Sequence, residues 1–248
     1  MHILVASSPD SASKFAANKI LEYLSARVHP VLGLATGASP LDIYRELFQR
    51  HQSGAVSFAS TTMFLLDEYI GLPAGHPQSF RQFIKREFTD AIDVAPTSVH
   101  VPETEAEDLS EACQIYETQI QEAGGIDVQI LGIGSNGHIA FNEPGSPLNS
   151  RTRLCALSEQ TRHDNARYFE SINTTPTHGV SQGIGTILEA RHIILIAAGT
   201  KKAQAIQQAI EGPVTPALPA SALQTHPDTT LILDQQAASK LQTPYTTI

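Results

Sequence analysis

Asp127-Val128-Gln129-Ile130-Leu131-Gly132-Ile133-Gly134-Ser135-Asn136-Gly137-His138 is the stretch that decides how this chain is read. A short apolar run ends in three glycines spaced G-x-G-x-x-G, which is the dinucleotide-binding fingerprint. That fingerprint needs a helix to open at the third glycine, with its N-terminus facing a pyrophosphate. Pro144, Gly145 and Pro147 follow too soon for a helix of useful length. His138 and Glu143 sit instead in a glycine-loosened loop just past a strand end, where open α/β sheets bind ligands. The stretch reads as a buried strand followed by a catalytic loop.

The same strand-then-turn pattern recurs along the chain. Candidate strands are Ile3–Ala6, Val31–Ala35, Thr62–Leu66, Val128–Ile133, His192–Ala197 and Thr230–Leu233. Helical patterns lie between them at Ser11–Arg27, Pro40–His51, Ser79–Phe88, Glu105–Glu122, Val180–Ala190 and Lys201–Ile210. This alternation predicts an α/β fold with a single doubly wound, mainly parallel sheet flanked by helices, Rossmann-like in its layering. Right-handed crossovers then place the strand C-termini along one edge. With no low-complexity linker, charge block or repeat, residues 1–248 are expected to form one domain.

Composition narrows the function classes. The balance of 25 acidic against 16 basic residues gives a net charge of -9, with no basic run. Nucleic acid and anionic membranes are therefore poor partners. A phosphate-bearing substrate stays open, because a few placed cations and N–H groups suffice locally. Two cysteines, Cys113 and Cys155, make no disulfide framework and suit a reducing compartment. Met1-His2-Ile3-Leu4-Val5-Ala6 is too short for a signal segment, and no apolar run is long enough to span a membrane. A cytoplasmic protein is expected.

Four strand ends carry chemistry-bearing residues. In Thr36-Gly37-Ala38-Ser39-Pro40, Gly37 permits φ > 0, Ser39 is placed as an N-cap and Pro40 suits the first helical position. Such a turn binds phosphate or simply starts a helix, and both readings stay open. Asp67 and Glu68 end an apolar strand; their side chains alternate faces, so they form no dyad. Asp67 is placed as a general base, its plainer reading being a solvated strand-end acid. Glu143 can fix the tautomer of His138, with Asn136 offering a neutral contact, while metal-ligand spacing is missing. Lys201 and Lys202 oppose the dipole of the helix they begin, which suggests an anion between them. Arg167 offers a bidentate phosphate contact or a surface ion pair.

These residues resemble glucosamine-6-phosphate deaminase, of the glucosamine/galactosamine-6-phosphate isomerase family. The likeness lies in Leu34-Ala35-Thr36-Gly37-Ala38-Ser39-Pro40, in Leu66-Asp67-Glu68-Tyr69-Ile70-Gly71-Leu72 and in the run from Gly132 to Gly145. It continues through Asn165-Ala166-Arg167-Tyr168-Phe169 and Pro219-Ala220-Ser221-Ala222-Leu223. The resemblance implies conversion of glucosamine 6-phosphate and water to fructose 6-phosphate and ammonia, without cofactor or metal. By the same resemblance His138, held by Glu143 and assisted by Asn136, opens the sugar ring, and Asp67 is the base at C2. Thr36, Gly37, Ala38, Ser39, Arg167 and Lys202 would grip the phosphate. The expected partner is a small-molecule amino-sugar phosphate, and the chain is expected to be a monomer or a homo-oligomer. The rivals are a 6-phosphogluconolactonase-like hydrolase, which tends to carry Arg at the place of Tyr69, and a non-catalytic sugar-phosphate-binding regulator.

Overall fold

A computed structural model describes residues 1–248. Its strands are β1 (His2–Ala6), β2 (Val31–Leu34), β3 (Thr62–Leu65), β4 (Asp67–Tyr69), β5 (Val99–His100), β6 (Val128–Leu131), β7 (Arg153–Ala156), β8 (His178–Ser181), β9 (His192–Ala197), β10 (Thr229–Asp234) and β11 (Thr246–Thr247). Its helices are α1 (Pro9–Ser25), α2 (Leu41–Gln52), α3 (Phe80–Glu87), α4 (Leu109–Glu122), α5 (Glu159–Asn165), α6 (Ile184–Leu188) and α7 (Ala203–Glu211). The eight-stranded sheet runs β11-β1-β10-β9-β6-β2-β3-β5, with every neighbouring pair parallel. β2 and β6 are buried along their whole length, as strands covered on both faces should be, and this is why they read as continuous apolar runs. The doubly wound α/β sheet expected from sequence is the observed one. No helix is long and apolar enough to cross a membrane.

A second, antiparallel sheet, β4-β8-β7, stands beside the first. The expected helix Val180–Ala190 is corrected here. Val180 and Ser181 belong to β8, and only Ile184–Leu188 is helical. Gly179 marks the reason, since a Cβ there would lie 2.6 Å from the Phe141 ring and 2.8 Å from the Glu68 carbonyl oxygen. β8 is held too close to its neighbours to coil. The last expected helix also begins differently: Thr200–Lys202 form a 3-10 turn, and α7 starts at Ala203.

The N-terminal edge of the sheet is fastened by charge. Asp127, just before β6, is buried and accepts the Val31 N–H at 2.8 Å. Its other oxygen meets Arg27 Nε and Arg191 Nη1, each at 3.0 Å. His192, at the start of β9, stacks on Tyr23 at 3.5 Å and pairs with Asp228 at 2.6 Å.

Candidate active site

The four notable turns leave adjacent strands, β9, β6, β2 and β3, at one edge of the sheet. Connections lead away from β2 and β6 in opposite directions, which opens a crevice between their C-terminal ends. On the β2 side, Tyr44 clamps Ala35, its hydroxyl accepting the Ala35 N–H at 3.1 Å and donating to the Ala35 carbonyl at 2.6 Å. Gly37 takes φ +88°, a conformation glycine adopts without strain. Thr36, Gly37 and Ser39 are half-buried and Ala38 is exposed. Ser39 is not the N-cap expected of it: α2 begins at Leu41, Pro40 holds the cap position with near-helical φ/ψ, and no side chain caps the helix. A Cβ on Gly132 would lie 3.9 Å from the Ser39 side chain.

On the β6 side, the loop folds back on itself through Gly134 N–H to the His138 carbonyl at 2.9 Å and Gly137 N–H to Gly134 at 3.1 Å. The His138 ring lies flat on Gly134, where any Cβ would sit 2.3 Å from ring atoms. Ala140 has φ +49°, the single non-glycine residue in the left-handed region. Strain of this kind persists only where surroundings impose it. Here Asn142 does so, donating to the Ile139 and Gln182 carbonyls at 3.0 and 2.9 Å and accepting from Arg153 at 2.8 Å.

His138 keeps 22% of its side-chain surface. Its Nδ1 lies 3.4 Å from Thr161 Oγ1 and 3.7 Å from Glu143 Oε2. The expected direct Glu143–His138 hydrogen bond is thus replaced by a longer contact, which is ionic only when the ring is protonated. Asn136, expected beside the ring, spans the two residues: its amide donates to Glu143 Oε2 at 2.9 Å and its carbonyl accepts the His138 main-chain N–H at 3.2 Å. Ser158 N–H holds the other Glu143 oxygen at 3.2 Å. Burial keeps the imidazole below its ordinary pKa; Glu143 and Asp164 oppose that shift and Lys202 reinforces it. In the Nδ1–H tautomer the ring donates toward Thr161 Oγ1 and Glu143, and Nε2 is left as an acceptor with no protein hydrogen-bond partner.

Asp67 opens β4, paired with Ser181 of β8. The same Ser181 hydroxyl accepts the Phe141 N–H at 3.2 Å, so a single residue links the Asp67 strand to the His138 loop. The Asp67 carboxyl is buried and receives no hydrogen bond, and burial, then the Glu68 carboxylate, holds its pKa well above the ordinary value. Tyr69 turns into an aromatic cluster with Phe80, Phe141 and Phe169 and accepts from Asn165 at 2.9 Å. Neither Thr161 nor Asn165 was legible from spacing. Both reach the site from α5, far along the chain from the groups they touch.

Lys202 is half-buried, and Arg167 is exposed with its guanidinium 4.7 Å over the Tyr168 ring. Neither cation forms an ion pair. Burial lowers the Lys202 pKa, Asp164 opposes this, and Arg167 and Lys201 add to it. A half-buried lysine beside two further cations is suited to hold an anion. No group of three or more His, Cys, Asp or Glu side chains is arranged to hold a metal ion.

Residues 6–232 match the family described as glucosamine-6-phosphate isomerases/6-phosphogluconolactonase. The glucosamine-6-phosphate deaminase of Arthrobacter sp. (strain FB24) is 50% identical over 242 residues, 98% of this chain and 93% of that protein. A solved structure of a monomeric glucosamine-6-phosphate deaminase superposes with a TM-score of 0.94 at 40% identity, covering 97% of this chain and all of that one. The 6-phosphogluconolactonase from Trypanosoma cruzi, at 22% identity and a TM-score of 0.79 over 98% of this chain and 97% of that one, shares the fold.

Proposed function

This chain belongs to the glucosamine-6-phosphate isomerase/6-phosphogluconolactonase family, and from that premise we propose that it converts glucosamine 6-phosphate and water to fructose 6-phosphate and ammonia. One juxtaposition supports the reading: a buried carboxylate that accepts no hydrogen bond, an imidazole and two cations without ion pairs lie on or beside turns that leave adjacent strands at one edge of the sheet. The Thr36–Ser39 turn, Arg167 and Lys202 bind the phosphate. His138 Nε2 takes the proton of the sugar's O1 hydroxyl and returns one to the ring oxygen, which opens the ring. Glu143 stabilises the imidazolium formed between those two steps.

Asp67 then removes the proton from C2, giving an enolamine, and a proton delivered to C1 yields the C2 imine. Water adds at C2 and ammonia leaves, so the overall change consumes one water and releases one ammonia. Asp67 suits the step because no donor competes for its lone pairs and its burial raises its basicity. We propose further that the working state is a single chain, as described for the 40% identical deaminase; light scattering that finds one-chain mass supports this. The reaction is tested by ammonia release from glucosamine 6-phosphate, beside its N-acetylated analogue and 6-phosphogluconolactone. Ammonia from the first substrate alone is expected. Lactone hydrolysis without ammonia release would contradict the reading.

A further inference from the structure

Glu68 follows Asp67 on β4, points to the other side of the strand and has the opposite surroundings. Its buried carboxylate accepts the main-chain N–H of Tyr69 at 2.7 Å and of Phe80 at 2.9 Å on one oxygen, and of Arg81 at 2.8 Å on the other. Ser79 Oγ accepts the Gln82 N–H at 3.2 Å. The first three N–H groups of α3, which a helix cannot satisfy itself, therefore end on Glu68 and Ser79. A protonated carboxyl would need an acceptor for its O–H, and all three neighbours are donors. Burial raises the Glu68 pKa above its ordinary value, and the three N–H donors and Arg81 oppose that shift in favour of the anion. Asp67, one residue away, has no donor at all.

We propose that Glu68 is a positioning residue for the proton transfer at Asp67: it fixes the strand carrying the base to the start of α3, and its donor-bound carboxylate places negative charge beside that base. This rests on the reading of Asp67 as the base. The division of donors is the evidence, since three main-chain N–H groups end on Glu68 and none ends on the Asp67 carboxyl. The other titratable groups around Asp67 are Tyr69 on the same strand, Tyr116 on α4 and Cys155 on β7. Burial pushes both phenols up and the Cys155 thiol to about 11, so all three stay neutral near pH 7. Arg81 faces Glu68 and partly offsets its charge. Glu68 is the neighbouring carboxylate whose charge acts on the base.

The test reads the carboxyls directly by carbon NMR titration, alongside the pH profile of kcat/KM. In the wild-type protein Asp67 is expected to titrate above Glu68. The reverse order would overturn the proposal without any variant. Glu68→Gln is expected to move both the Asp67 titration and the acid limb of kcat/KM to lower pH. Its loss of kcat should stay well short of the roughly 10²–10⁴-fold expected on removing a general base. An Asp67 titration unmoved in folded Glu68→Gln would reduce Glu68 to a helix anchor. Normal turnover by Asp67→Asn, in contrast, would sink the base assignment while leaving the NMR result standing.

Discussion

The two edges of the main sheet use the same residue types to opposite ends. At the N-terminal edge Asp127 is saturated: one oxygen takes a main-chain N–H and the other two arginines. At the C-terminal edge Asp67 is equally buried and receives nothing, while Lys202 and Arg167 stand without a carboxylate partner. A buried charge that is paired fastens a fold; one left unpaired costs stability and is kept where a ligand will complete it. The contrast teaches that burial alone does not mark a site, since two equally buried carboxylates differ in the partners they are given.

Several substitutions sharpen or break that contrast. Asp67→Asn should lower kcat by about 10²–10⁴-fold with little change in substrate binding. It should also stabilise the fold. Because the Asp67 pKa is raised, the native state holds its proton longer than the unfolded chain, so wild-type stability falls as pH rises from the ordinary value of 3.8 to the raised one. The gain in Tm for Asp67→Asn should thus be absent below that window and full above it. Equal Tm values at all pH would break the contrast. Lys202→Ala should raise KM by about 10–100-fold, the equivalent of a charged hydrogen bond, with a smaller effect on kcat. At the other edge, Asp127→Ala should leave kcat and KM near wild type but lose about 1–3 kcal/mol of stability in urea titration. Most of that comes from the orphaned Val31 N–H, since both arginines are partly hydrated. The smallest effect belongs to Asn136→Asp. The added charge favours the imidazolium and should move the His138-dependent limb of kcat/KM to higher pH; a shift to lower pH would contradict the wiring.

The central sheet was legible because its strands are buried on both faces and so spell unbroken apolar runs, as at Val128–Leu131. The turns that follow were legible because glycine and proline punctuate them. The β4-β8-β7 sheet was not. Its strands are three or four residues long, and Val180–Ala190 carries a helical spacing that only the contacts of Gly179 overrule. The residue types of the site could be read from the chain, but not their wiring. Asn136 sits between Glu143 and the His138 backbone rather than against the ring, and Thr161 arrives from α5. Such contacts depend on loop conformation, with Ala140 held at positive φ, and no local pattern encodes them.

The proton at C2 of the sugar offers the most direct measurement. Glucosamine 6-phosphate deuterated at C2 should lose that label in the wild-type protein as fructose 6-phosphate forms. Asp67→Asn should bind the same substrate and keep the deuterium at C2. Loss of label at the wild-type rate in Asp67→Asn would contradict the role given to the undonated carboxylate.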